Sequence, residues 1–180
     1  MTKDLNILAA EVHAAAKAKG FWDAPNDGEK LMLIISELSE ALEAHRSGRF
    51  ARADFEKLDG LPDEGYQEIF RLCVKDTFED ELADVVIRIL DFCGAMGVNV
   101  VVDEVPTGYR VDERNIGELF FAVTKVIVNG NSFGDYGGSL CCVIETLLAL
   151  SAHMNIDLWK HIELKLKYNA SRPHKHGKAY

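Results

Sequence analysis

Apolar residues recur along this chain at helical spacing, with little of the strict alternation that marks strands. From Leu5 to Lys19, the positions Leu5, Leu8, Ala9, Val12, Ala15 and Ala16 fall at i, i+3 and i+4, and Gly20 follows as a stop. After the loop FWDAPNDGEK, where Asn26 or Asp27 is placed to cap, a second helix is expected to end near Gly48. Arg49 to Gly65 is polar and irregular, with turn signals at Asp59-Gly60 and Leu61-Pro62-Asp63 and a short helix expected around Ala51 to Leu58. A third long helix is expected from about Tyr66 to Met96, with a break near Lys75 as the alternative, closing at Gly97. Between Val98 and Arg110, Pro106 and Gly108 favour an extended connection over a strand. A fourth helix is expected over roughly Asn115 to Val128, a fifth from Ser139 to Met154 after the Gly-rich turn NGNSFGDYGG, and a sixth from about Ile156 to Tyr168. The tail ASRPHKHGKAY is basic and reads as non-helical after Pro173. The expected class is all-α, an antiparallel bundle of about five to six helices. One domain over 1–180 is expected, with 49–73 as a surface insertion and 170–180 as a basic tail.

The second helix breaks its own apolar pattern. In LMLIISELSEALEAH (31–45), Glu37 and Glu40 lie about 60° apart on the helical wheel, among Leu33, Ile34, Ala41 and Ala44. A buried, unpaired carboxylate is costly to desolvate, so this face calls for a cation, hydrogen-bond donors or a water-filled cleft. The third helix carries a second such pair, Glu81 and Asp84, on a face shared with Val85, Arg88 and Phe92. Glu43 and Glu79 read as the acidic surface elsewhere, and Arg88 reads as a salt-bridge partner that steadies the acids. Two helices facing each other as an antiparallel hairpin would bring four carboxylates to one point. Such an oxygen-only set suits Mg²⁺ or Mn²⁺ and mismatches zinc. Spacing alone leaves a metal site and a solvated acidic face both open.

Charge and composition narrow the partners. A net charge of -9 argues against nucleic acid or an anionic membrane surface as a partner. No apolar stretch reaches the roughly 18 to 20 residues of a membrane span, and the N-terminus lacks the apolar region of a signal peptide, so a cytoplasmic protein is expected. Cys73, Cys93, Cys141 and Cys142 form neither a CxxC pair nor a zinc spacing and read as reduced thiols on helices. There is also a faint internal echo. ILDFCGAMGVN (89–99) aligns without gaps with LLALSAHMNID (147–157), which sets ELAD (81–84) opposite SLCC (139–142). ISEL (35–38) likewise resembles IGEL (116–119), setting Glu40 opposite Phe121. A duplication whose second half has lost its acids and two helices of merely similar composition explain this equally well.

SELSE (36–40) followed by ELAD (81–84) resembles the EExxE…ExxD signature of the MazG-like, all-α nucleoside triphosphate pyrophosphohydrolases. The segment KLKYNASRP (165–173) resembles the Lys, Asn, Arg stretch with which many of them end their last core helix. The likeness covers the helices at 5–47, 66–97 and 156–172. It implies Glu37, Glu40, Glu81 and Asp84 as ligands of Mg²⁺, with Mn²⁺ a substitute; one glutamate would position or deprotonate the attacking water, and of the candidates Glu40 and Glu37 we take Glu40. It also implies Lys165, Asn169 and Arg172 as contacts to the phosphates or sugar of a nucleoside triphosphate. Two departures stand out: Ser36 occupies the place of the motif's first glutamate, and the gap between the two motifs is longer than is usual in the family.

The implied reaction is hydrolysis of ordinary or damaged (deoxy)nucleoside triphosphates to a nucleoside monophosphate and pyrophosphate, a housecleaning role. Phe21 and Trp22 are placed to stack on a base and His13 or Asn26 to touch its edge, the ordinary alternatives being hydrophobic capping of the bundle and surface polarity. For His174 and His176, phosphate contacts or a disordered tail are the readings. The rival function, for which Ser36 is the main argument, is a non-catalytic nucleotide-binding or regulatory helical protein. Family members associate through these helices, which implies a homo-oligomer, a dimer if the second half stands in for another copy's hairpin.

Overall fold

The computed structural model describes residues 4–24, 26–52, 58, 60–102, 115–134 and 136–177. Among them the fold is an all-α bundle of seven helices: α1 Leu5–Ala18, α2 Asp27–Arg46, α3 Asp63–Cys73, α4 Phe78–Met96, α5 Ile116–Phe133, α6 Tyr136–His153 and α7 Leu158–Ala170. A short 3₁₀ turn, His174–Gly177, follows. Most of the expected helix over Ala51 to Leu58, Asp59 of the Asp59-Gly60 turn and most of the connection between Val98 and Arg110 lie outside the described residues.

Local chemistry sets the helix ends. Asp4, Asn26, Thr77 and Asp157 each lend a side-chain oxygen to a backbone N–H of the first turn of α1, α2, α4 and α7. The expected third helix is two helices. Asp76 takes a left-handed φ of 61° and Thr77 starts a new cap there, so α3 and α4 are separate elements around Lys75. The Gly-rich stretch after Val128 departs from expectation in the other direction. α5 runs on to Phe133, and α6 starts three residues before Ser139, because among the described residues of this stretch only Gly134 takes a positive φ (71°).

α4 is the central helix and packs against α1, α2, α6 and α7. Its pairing with α2 is antiparallel: His45 meets Phe78 at ring centroids 5.2 Å apart, and Glu37 meets Arg88 two turns further on. α1 also runs antiparallel to α4, from Asn6 beside Val100, through Ala9 beside Gly94, to His13 beside Asp91. Gly94 is what lets these two backbones touch. A Cβ there would lie 2.5 Å from the Ala9 carbonyl oxygen. α5 and α6 form a second hairpin on α2 and α4, joining one core that includes Leu38, Leu82, Ile89, Phe120 and Leu147.

The stretch expected as a surface insertion contains α3, and α3 is docked. Tyr66, Phe70 and Val74 pack on Leu164 and Tyr168 of α7 in a small second core, with Phe70 stacked on Tyr168 at 4.4 Å. The Tyr66 hydroxyl donates to the Leu164 carbonyl at 2.5 Å. The echo between 89–99 and 147–157 reaches the helix ends. In that alignment Phe78 falls on Tyr136, the first residue of each helix. Gly97 falls on Asn155, where φ is 64° and 58°. ISEL and IGEL do not share this match, since the first lies mid-helix in α2 and the second at the start of α5. No single helix among the described residues is long and apolar enough to cross a membrane.

Candidate functional site

A cleft of about 460 Å³ opens between α1, α2, α4 and α7. Glu37 and Glu40 enter it from α2, and Glu81, Asp84 and Arg88 from α4, because i, i+3 spacing turns each pair to the same side and the antiparallel crossing sets the sides face to face. Glu37, Glu40 and Glu81 can each bring a carboxylate oxygen to within 4.8 Å of the others. Asp84 lines the same cleft, but its Oδ2 lies 2.7 Å from Lys165 Nζ.

The acids differ in burial. Glu37 and Glu81 are buried and Glu40 is exposed. Burial raises the Glu37 carboxyl above its ordinary range, although Arg88 Nε, 2.5 Å from Glu37 Oε1, pulls it back. Burial, reinforced by Asp84, pushes the Glu81 carboxyl up to about 9, so at neutral pH and without a cation it keeps its proton. Ser36, where the motif it resembles has an acid, donates its hydroxyl to Glu40 Oε1 at 3.1 Å.

Asp80, which the sequence pattern did not single out, holds Lys165. Three successive acids at the start of α4 point three ways. Glu79, expected as surface charge, is buried and accepts the Ala51 N–H at 2.9 Å. Asp80 accepts from Lys165 Nζ at 2.7 Å and from the Asp76 N–H at 3.0 Å, and Glu81 faces the cleft. Asp80 is 1% exposed, and its Oδ1 has no hydrogen-bond partner among the described residues. Burial raises its carboxyl to about 6, against the pull of Lys165. Burial alone would lower Lys165, but Asp84 and Asp80 outweigh it and hold the ammonium charged. Lys165 thus sits at the back wall of the cleft as a tethered cation.

No protein-family model, curated protein or solved structure matches this chain. Its functional reading therefore rests on the cleft.

The tail forms a further wall. Asn169 and Arg172 both line the cleft, and Arg172 Nη1 lies 3.5 Å from Asn169 Oδ1, with its guanidinium over the Tyr168 ring. His174–Gly177, expected as a free basic tail, docks on the end of α1. The Lys175 N–H donates to the Lys19 carbonyl at 2.8 Å, and Lys19 Nζ donates to the carbonyls of Ala170 and Arg172. Gly20, at φ 83°, leaves room for the His174 ring, since a Cβ there would fall 2.0 Å from His174 Nε2. Lys175 and His176 take left-handed φ values of 47° and 50°, which cost about 1–2 kcal/mol per residue for L side chains. His176 lines the cleft and meets Phe21 edge to face.

The loop before α2 divides its two aromatics. Phe21 lines the cleft, whereas Trp22 is not among the lining residues: its indole N–H donates to Asp91 at 2.9 Å, and Lys30 Nζ sits 5.4 Å from its ring. His13 Nδ1 lies 2.9 Å from the same Asp91, and Asn26 caps α2. Both polar candidates for a base edge thus have structural partners. Asp91, itself raised by burial, is the anchor that the sequence pattern concealed, because it sits among the apolar residues ILDFC.

The donor set fits a hard divalent cation. Glu37, Glu40 and Glu81 supply oxygens only, among the described residues no imidazole or thiol joins them, and a carboxyl held protonated by burial and by its acidic neighbours is one that a cation would deprotonate. A second grouping, Asp76, Asp80 and Glu81, shares Glu81, but Lys165 already supplies its positive charge.

Proposed function

We propose that this protein is a divalent-cation-dependent nucleoside triphosphate pyrophosphohydrolase. The observation that carries the reading is the meeting of three glutamates from two helices at one side of a cleft whose other walls carry Lys165, Arg172 and Asn169. Anionic oxygens next to fixed cations suit a substrate that is a chain of phosphates arriving with its own metal. The resemblance of SELSE, ELAD and KLKYNASRP to the MazG-like enzymes points the same way.

Glu37, Glu40 and Glu81 would hold Mg²⁺ or Mn²⁺, with Asp84 the fourth acid of the set. A cation there would neutralise phosphate charge and make a bound water more acidic. Glu40 is suited to take the proton of the attacking water, because it is the exposed acid of the three and Ser36 orients it. The water oxygen bonds to the α-phosphorus as the bridging oxygen between the α- and β-phosphorus atoms leaves with pyrophosphate. Arg88 keeps Glu37 in place, and Lys165 and Arg172 lie where phosphate charge would be met. The test is pyrophosphate release across a panel of (deoxy)nucleoside triphosphates with and without Mg²⁺. Metal-dependent release of pyrophosphate and monophosphate is expected. Tight binding with no turnover of any triphosphate would favour the alternative, a non-catalytic nucleotide sensor.

A further inference from the structure

Part of the cleft's lining is apolar or aromatic. α1 contributes Leu8, Glu11, Val12, Ala15 and Ala16 to its lining, of which Glu11 alone is charged and none is a cation to meet a phosphate. At that helix's end the chain turns through Gly20 into Phe21, and the His174–Gly177 turn folds back over the same glycine. The result is a corner of two rings, Phe21 and His176, with centroids 5.0 Å apart and planes at 84°. Both line the cleft. Two consecutive L residues in left-handed conformation hold His176 in this place, an arrangement that only surrounding contacts maintain. Those contacts are built in: the Lys175 N–H on the Lys19 carbonyl, Lys19 Nζ on the carbonyls of Ala170 and Arg172, and Arg172 Nη2 3.5 Å from the His176 carbonyl oxygen.

We infer that Phe21 and His176 form the subsite for the heterocyclic base of the nucleotide, with the His174–Gly177 turn as its wall. The inference rests on the reading of the cleft as a nucleoside triphosphate site and adds what recognises the part that is not phosphate. A flat heterocycle stacked on the face of either ring meets the edge of the other. Imidazole adds directional recognition, since its neutral form carries one donor and one acceptor. Half-burial, with Arg172 and Lys19 nearby, lowers the His176 imidazole to about 4, which keeps it in that neutral form. The neighbouring amine of Lys19 is turned onto backbone carbonyls, and the Arg172 guanidinium is drawn toward the His176 carbonyl oxygen.

The experiment compares equilibrium binding of four α,β-methylene deoxynucleoside triphosphates with that of inorganic tripolyphosphate, all with Mg²⁺, in the full chain and in His176→Ala, Phe21→Ala and His176→Phe. The wild type is expected to bind at least one nucleotide about tenfold more tightly than tripolyphosphate. His176→Ala and Phe21→Ala should each erase most of that margin while leaving tripolyphosphate affinity and far-UV helicity unchanged. His176→Phe should keep the stacking margin but flatten the preference among the four bases. Equal affinity of the wild type for nucleotide and tripolyphosphate would overturn the inference. So would a parallel loss of both ligands in His176→Ala, which would make His176 a phosphate contact. Pyrophosphate release from the four ordinary deoxynucleoside triphosphates, measured alongside, separates the two readings: a base-dependent margin without turnover keeps this subsite and removes the hydrolase, and turnover without a margin does the reverse.

Discussion

Two helix pairs share the core of this protein. α5 buries Ile116, Phe120, Val123 and Ile127, and α6 buries Leu140, Val143, Ile144 and Leu147; among the described residues neither buries a charged side chain. α2 and α4 together bury Lys30, Glu37, Glu79, Asp80 and Glu81. The apolar pair shows that packing in this bundle needs no buried carboxylate. Each buried acid in the other pair is a cost to stability unless something charged meets it. Glu79 meets a backbone N–H, Asp80 meets Lys165 and Glu37 meets Arg88, which leaves Glu81, with its carboxyl pushed to about 9, as the acid whose environment most favours the uncharged form. Acids with structural partners explain themselves, and Glu81 with Glu40 asks for a ligand.

That contrast can be broken by substitution. Glu40→Gln should leave the fold intact and slow pyrophosphate release by about 10²–10⁴-fold, the range for loss of a general base; release within a few-fold of wild type would move the proton acceptor elsewhere. Ile144→Ala, a fully buried site in the acid-free pair, should do the opposite, costing about 2–5 kcal/mol in denaturant unfolding while turnover per folded molecule holds.

Glu81 also makes the contrast pH-dependent. Its folded carboxyl titrates near 9, against an ordinary 4.5 when unfolded, so between those values the folded state holds a proton that the unfolded chain lacks. The metal-free protein should therefore lose stability as pH rises from about 5 to 9. In Glu81→Met this slope should flatten, and stability at pH 9 without divalent cation should rise by on the order of 1 kcal/mol. A wild-type melting temperature independent of pH over that window would contradict it. The smallest effect belongs to Ser36→Ala, which removes one hydrogen bond to Glu40, worth about 0.5–1.5 kcal/mol, and should lower kcat a few-fold with little change in stability.

Much of the bundle could be read from the chain because its signals are local. Asn26, Asp27 and Gly48 bracket α2, and the i, i+3 acid pairs announce their shared face before any tertiary contact is known. What stayed hidden depends on contacts distant in sequence. Asp80 is one residue from Glu81 and looks like more surface charge until Lys165, 85 residues away, is placed against it. Asp91 sits in an apolar run, and only the approach of His13 and Trp22 makes it an anchor. Glycine misled in both directions: the run after Val128 is helical up to Gly134, while Gly20 proved to be the seat of the folded-back tail. The tail's basic composition suggested a solvated end and gave no sign that His176 would meet Phe21.

The most direct test of the central claim is a Mn²⁺ titration that counts free ion at equilibrium, without nucleotide, for wild type and Glu81→Gln at pH 7.5. Saturable binding by the wild type, accompanied by proton release, is expected, with loss of that binding in Glu81→Gln and helicity preserved. Equal Mn²⁺ binding by both proteins, or none by the wild type, would contradict it.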